Sequence, residues 1–549
     1  LSAPVRDHNL STPAALILAL VLPIFAVAPL FYPGPIQIHS GFVPLWNITN
    51  LQANGGDVGW LPVIAIHFDP LRSDGLLFYY LAVLLPFSPL VSTKLVVIAG
   101  WLLGSAGMFL WLRRWVGNPG AVIAALVYVY LPFQLATVYV RGAWGEALFW
   151  GLLPWAILAA TFLVTSPRLV GSVLAGAGWL LLGLSQLGLT LWAFIFLTLL
   201  LLVVHFRQSL WPIVSAWVGM GAAFALYLFV AEFSVDSAIT FADHFLYPFQ
   251  LFSAAWGFGV SRPGWNDGLS LQVGLAGVGL TMVTVILWQR SATVGHADRR
   301  LLYFLGAAMV LVLFALGAAA FIWRIPVWPE VTLADTLSYP WQLLGFVGLC
   351  TAVLAGAALW LDNRLAQLPL FGAIILFVVL SSYSYLRPQF LQPGSYVDAP
   401  PQAQLGDYHI VLLAHDCSVL TGGYTAGLER GQTSVPLSVH GPLHPGDVLQ
   451  ANVVWQPLRP LPENLKVFVH LVGPAGNVLA QYDGYPQSGN YPTGQWIPGE
   501  LVADSYPVIV PPNAPPGPYQ IYLGFYNEAT LTRLPVPNDT EGRVILHVE

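Results

Sequence analysis

The sequence predicts a polytopic α-helical membrane protein of about eleven transmembrane helices with a C-terminal antiparallel β-sandwich domain. Only 8% of the 549 residues are charged and 56% are hydrophobic, and the mean hydropathy is +0.69. A soluble domain carries about 25% charged residues, and here the deficit falls almost wholly before residue 387. Beyond residue 405, short runs of β-branched and aromatic residues alternate with Gly, Pro and Asn turns. The net charge of −6 gives no argument for a nucleic-acid partner. The two cysteines, Cys350 and Cys417, fall in an apolar block and in the polar tail, so they build no disulfide framework or zinc motif.

A bilayer crossing needs about 20 mostly apolar residues. On that ruler the spans fall near 13–31, 92–112, 120–137, 147–165, 170–186, 188–205, 212–231, 271–288, 301–323, 341–361 and 368–386, which makes residues 1–386 a transmembrane domain. The block from Pro13 to Phe31 is longer than a signal-peptide core and no A-x-A-like cleavage site follows it, so it reads as a retained helix. The apolar run from Leu76 to Pro86 is too short to cross alone and reads as an interfacial or re-entrant helix at the outer face. Lys and Arg concentrate in cytoplasmic loops. With the N-terminus inside, the inner segments hold Arg6, Arg113, Arg114, Arg168, Arg207, Arg290, Arg299, Arg300 and Arg364. The longer outer segments hold Arg72, Lys94, Arg141, Arg262 and Arg324 near the spans, and the tail from Arg387 falls outside.

Polar chemistry gathers in four outer loops, at 32–74, 138–146, 231–270 and 324–340. The first carries His39, Asp57, His67, Asp69, Arg72 and Asp74, with Trp46 and Trp60 among them. Asp57 and Asp69 are candidate bases or metal ligands there, although an outer-loop aspartate is more often merely solvated. His67 and Asp69 share a face only if the segment is extended. His39 reads as a hydrogen-bonded loop histidine or as a ligand. In the second loop, YVRGAWGE, Arg141 and Glu146 are able to bind a phosphate and a hydroxyl, to pair with each other, or to cap the fourth span. An unpaired charge at that depth is costly, which favours the ion pair. The third loop holds Glu232, at the end of a span, with Asp236, Asp243, His244, Arg262 and Asp267. The fourth holds Glu330 and Asp335 between Trp328 and Trp341. Trp and Tyr prefer the headgroup level, so these loops also read as interfacial anchors. Nucleotide, haem and zinc-protease motifs are absent, and no cofactor or resident metal is expected.

Residues 387–404 are rich in Pro and Gln and read as a linker. Residues 405–549 form the predicted sandwich, with strands in YHIVLLAH, VLQANVVW, KVFVHLVG, YPVIVP, YQIYLGFY and RVILHVE. Tyr485, Tyr491 and Trp496 are candidates for stacking on sugars, against the commoner turn and core roles of such residues.

The membrane block resembles bacterial polytopic proteins of the 6-pyruvoyl-tetrahydropterin-synthase-related family, which are themselves similar to GT-C glycosyltransferases. The resemblance rests on GWLPV, FYYLAVLLP, RRWVGNPGAVIAALVYVYLPFQLATVYVRGAWGEALFWGLLPW, YPFQLFSAAWGFGVSRPGWNDGLSLQVGL and LSYPWQLLGFVG. The tail resembles a β-sandwich appended to such proteins, through FVHLVGPAGNVLAQYDGYPQSGNYPTGQWIPGE and GFYNEATLTRLP. The resemblance implies an outer-loop acid that serves as base or metal ligand, and basic groups that hold a lipid-linked phosphate. Both are needed, because the acceptor hydroxyl loses a proton while the leaving phosphate gains charge. Several implied groups are missing. The residue four before His39 is Pro35 where the family has Asp, and Gly59-Trp60-Leu61-Pro62-Val63 stands for Arg-Trp-Leu-Pro-Asp. Leu184-Ser185-Gln186 stands for Leu-Ser-His, and Pro340-Trp341-Gln342 for Pro-Trp-Arg, whereas Arg141, Glu146 and Glu232 match.

Two functions from different classes follow. In the first, the chain is a catalytically degenerate, accessory subunit of a larger bacterial membrane complex, with other membrane-protein subunits and the lipid bilayer as its partners. Energy-transducing electron-transfer complexes are one setting for such subunits. In the second, it is an active glycosyltransferase using a polyprenyl-phosphate sugar. That reading takes Asp57, Asp69 and Glu146 as catalytic, and His39, Arg72, Arg141, Glu232 and His244 as substrate-binding. Either places the chain in the bacterial inner membrane with its sandwich in the periplasm.

Overall fold

The computed structural model describes residues 10–36, 38, 43–53, 75–165, 169–204, 210–230, 241–253, 256–257, 261, 264–265, 269–291, 298–328, 331–390, 403–405, 410–420, 447–457, 461, 463–489, 491–496, 502–516, 518–536 and 539–548. They fall into two compact units that part near residue 398.

In the first unit the main helices are α1 (Thr12–Val21), α2 (Val43–Ala53), α3 (Leu76–Val83), α4 (Pro89–Val129), α5 (Trp144–Thr165) and α6 (Leu169–Ser185). They continue with α7 (Leu187–Val204), α8 (Trp211–Val230), α9 (Leu275–Arg290), α10 (Arg299–Ala315), α11 (Leu344–Leu361) and α12 (Leu368–Ser381). Ser11 starts α1 by accepting from the Ala14 N–H at 3.4 Å, with Pro13 just inside the first turn. Pro23 then lacks the N–H that the Ala19 carbonyl would use. Ser105 of α4 donates to that carbonyl instead, at 2.5 Å. The same device recurs in α5, where Pro154 leaves the Trp150 carbonyl unpaired and Tyr128 donates to it at 2.7 Å. Lipid offers no hydrogen bonds, so a helix broken by proline must find donors on its neighbours.

At about 1.5 Å per residue, the 41 residues of α4 would run about 61 Å, twice the hydrocarbon core. The run is not straight, because Gly117 adopts φ 76° and ψ 171°, which a side chain would resist. A Cβ on Gly104 would lie 3.5 Å from the Tyr128 ring, although a straight helix would hold those positions about 36 Å apart. Residues 89–116 and 118–129 are therefore antiparallel arms, and the second stops at Val129, short of the span expected over 120–137, because Leu131 turns extended (ψ 130°) before Pro132.

Helix occupies part of each of the eleven predicted apolar segments. Among the described residues seven helices are long and apolar enough to cross a bilayer, with the two arms of α4 taken as one. α6 and α9 are apolar but shorter. The segment expected as one helix over 301–323 is broken. α10 ends at Ala315, and Leu316 turns extended (ψ 148°) to form a bridge with Leu246. The Leu246 N–H takes the Ala315 carbonyl at 2.9 Å, which competes with continuing the helix. α9 likewise starts at Leu275 rather than near 271.

α11 is the hub: every residue from Leu344 to Leu359 is buried, and it packs on α4, α9 and α10. A helix apolar on every side is stable only when surrounded. α4 and α5 approach to backbone contact, since a Cβ on Gly151 would lie 2.3 Å from the Gly100 carbonyl oxygen. The outer faces are also apolar, with Ile17, Phe25, Val173, Trp217, Leu228 and Leu376 all exposed. Apolar surface on that scale suits a bilayer rather than water. α3 is short, as expected for 76–86, and is held at its start by Gly75 N–H on the Ser185 carbonyl at 2.8 Å. A small hairpin, β1 (Pro326–Trp328) with β2 (Val331–Thr332), precedes α11.

The second unit holds two four-stranded antiparallel sheets around one core, as the alternating sequence predicts. Its strands are β3 (Ala403–Leu405), β4 (Ile410–Leu420), β5 (Val448–Pro457), β6 (Leu465–Val472), β7 (Val478–Gly484), β8 (Val502–Ile509), β9 (Tyr519–Asn527) and β10 (Val544–Val548). The sheet orders are β3-β4-β5-β8 and β10-β9-β6-β7. Alternate residues Leu449, Ala451, Val453 and Trp455 of β5 face Val467, Val469, Ile521, Leu523 and Phe525 across the core. Trp455 and Phe525 meet edge-on at 4.8 Å. The linker expected over 387–404 ends sooner, because Ala403 and Gln404 pair with Leu412 and Val411 in β3.

Candidate functional site

The site is built where α4 gives way to α5. After Pro132–Ala136, residues Thr137–Arg141 form one wide π-type turn that Gly142 closes in the left-handed region, at φ 66°. Ala143 N–H reaches back to the Thr137 carbonyl at 3.1 Å. This reversal returns the chain so that Glu146, in the first turn of α5, lies beside Arg141. A carboxylate is also favoured there by the helix N-terminus.

Arg141 Nη2 lies 2.7 Å from Glu146 Oε2, with Glu146 only 1% exposed and Arg141 12%. Arg141 Nη1 donates to Thr137 Oγ1 at 3.2 Å. Both carboxylate oxygens have further donors: Trp150 Nε1 reaches Oε1 at 3.3 Å, and Gln342 Nε2 reaches Oε2 at 2.9 Å. Gln342 is itself fixed, since its Oε1 accepts from the Ser338 and Tyr339 N–H groups at 3.0 and 3.1 Å. The guanidinium also lies over the Trp341 ring, 4.7 Å from its centroid.

Trp341 extends the cluster to the third loop. Its ring stacks on Tyr339 at 4.5 Å, and its indole N–H donates to Ser261 Oγ at 3.1 Å. Ser261 Oγ lies 2.9 Å from His244 Nδ1, and the His244 ring meets Tyr339 edge-on at 5.0 Å. Having accepted from Trp341, Ser261 is placed to donate to an unprotonated Nδ1. Burial pushes the His244 imidazole below its ordinary range, against the opposing pull of Asp243. The neutral form is thereby favoured.

Among the predicted site residues the structure therefore joins Arg141, Glu146 and His244 in one cluster. His39, Asp57, Asp69, Arg72 and Glu232 lie outside the described residues. Thr137, Trp150, Ser261, Tyr339 and Trp341 were not among the candidates. Helical i,i+4 spacing was a usable signal for Thr137 with Arg141 and for Glu146 with Trp150. Nothing local marks Ser261. Asp335, in the fourth loop, accepts from the Thr332 N–H at 2.7 Å and so shapes a turn. No group of three or more His, Cys, Asp or Glu fit to hold a metal occurs among the described residues.

In the sandwich, Trp496 is 4% exposed and packs edge-on against Phe525 at 5.8 Å, so its ring belongs to the core and offers no face to a sugar. Its indole donates to the Tyr491 carbonyl at 2.9 Å. Tyr485 donates to Glu528 at 2.7 Å, and Glu528 also pairs with Lys466. Comparison with protein-family models, with curated proteins and with solved structures gave no match.

Proposed function

We propose that the chain is a catalytically degenerate, GT-C-like protein that serves as an accessory subunit of a larger bacterial membrane complex. In this reading about eleven helices cross the inner membrane. The N-terminus is cytoplasmic and the sandwich lies in the periplasm. One observation supports the reading above others: the buried Glu146 carboxylate is taken up by Arg141, Gln342 and Trp150. A general base needs an oxygen within reach of the acceptor proton, and a phosphate clamp needs an arginine that a headgroup can reach, whereas Arg141 is only 12% exposed and lies against a buried carboxylate. Gln342, which stands where the family pattern has Arg, donates to the same carboxylate rather than offering a second cation.

Purification in mild detergent tests the proposal. Other subunits are expected to co-migrate at fixed stoichiometry. A monomer whose glycan product disappears in Asp57→Asn or Asp69→Asn variants would instead establish the glycosyltransferase.

A further inference from the structure

At the end of the helical unit away from the Arg141 cluster, the first arm of α4 finishes with Trp111, Arg113, Arg114 and Trp115 just before Gly117. α10 begins there with Arg299 and Arg300. Trp115 and Trp111 both pack on Phe304 of α10, with ring centroids 6.1 and 6.0 Å apart. Between these elements and α5 and α7 lies a pocket of about 270 Å³. Arg114 and Arg300 both line it, with Thr161 as a further polar wall. Leu158, Leu200 and Val204 line its apolar side, and neighbouring Leu199, Leu202 and Val203 of α7 are exposed.

The two arginines are presented differently. Arg300 lies over Trp115 and Trp360, at 4.7 and 5.6 Å, and pairs with Asp298 at 3.1 Å. Arg114 is exposed and lies over Phe162 at 4.3 Å, with no carboxylate partner among the described residues. The wall therefore carries a net positive charge. Three tryptophans around the arginines mark headgroup depth. An apolar floor that continues onto lipid-facing surface suits acyl chains. The volume suits a glycerophosphate headgroup.

We propose that this pocket binds an anionic phospholipid, its phosphate held between Arg114 and Arg300 and its chains running along Leu158, Leu200 and Val204. The site is separate from the Arg141 cluster, and the proposal stands whether or not the chain is an accessory subunit.

Native mass spectrometry of the detergent-purified protein, titrated with phosphatidylglycerol or with phosphatidylcholine of the same chains, provides the test. The wild type is expected to prefer phosphatidylglycerol about tenfold, because both lipids carry the phosphate but the choline cation of phosphatidylcholine meets the same positive wall and offsets the attraction. Arg114→Gln should abolish that preference, whereas Arg114→Lys should keep most of it. Arg113→Gln changes a neighbour that does not line the pocket and should leave the preference intact. Arg300→Gln should act like Arg114→Gln; because Arg300 also braces two tryptophans, the decision rests on the exposed Arg114. Equal binding of the two lipids by the wild type, an unchanged preference in Arg114→Gln, or displacement of the lipid by millimolar inorganic phosphate would overturn the proposal.

Discussion

Gln342 donates its side-chain amide to the Glu146 carboxylate at 2.9 Å, joining two positions 196 residues apart in the sequence. The start of α5 is thereby fixed to the turn that precedes α11. With Arg141 on the same oxygen, the carboxylate is held from two sides.

Removing one partner of this pair leaves the other charge buried. Glu146→Gln or Arg141→Gln is expected to cost about 3–5 kcal/mol. The double variant should cost about 1–3 kcal/mol less than the sum, because the stranded charge is gone. Apparent unfolding midpoints of the four proteins in one detergent check this. Strict additivity would mean that the two residues do not act as a unit.

Gly151 faces the Gly100 backbone, so a methyl group there pushes α4 and α5 apart. Gly151→Ala is expected to destabilise by about 1–3 kcal/mol. Gly178→Ala, where a Cβ meets nothing within 4 Å, should stay within about 1 kcal/mol of wild type or gain slightly. Thermal scans of both variants separate close packing from a general intolerance of helix glycines.

His244 gives a pH dependence with a definite sign. Burial lowers its folded value, so the unfolded chain binds the proton more readily. Its contribution is complete above the unfolded value of about 6.5 and is lost as pH falls below it. His470 in the sandwich is lowered by burial in the same way, so the wild-type curve alone does not isolate His244. The difference between wild type and His244→Gln does. Midpoints measured from pH 8 to pH 5 should fall more steeply for the wild type, and parallel curves would remove His244 as the cause.

The helices were legible because bilayer-length apolar runs leave a direct imprint on composition, and RRWVGNP between the arms of α4 signalled a reversal. The break at Leu316 left no such imprint. It sits within an apolar run and is caused by a bridge to Leu246, a partner far away in sequence. β7 was missed because it is a half-exposed edge strand without a run of β-branched residues. At the site, the Arg141–Glu146 pair was readable from the cost of an isolated buried charge. Gln342 and Ser261 were not readable as its supports, because tertiary folding alone brings their loops to it.

The single-residue reversal at Gly117 has a bearing on biogenesis. In the proposed eleven-span reading, two arms joined by one residue offer the insertion machinery no spacer in which to pause, so they are expected to enter as one topogenic unit. On that reading neither arm can be reoriented alone.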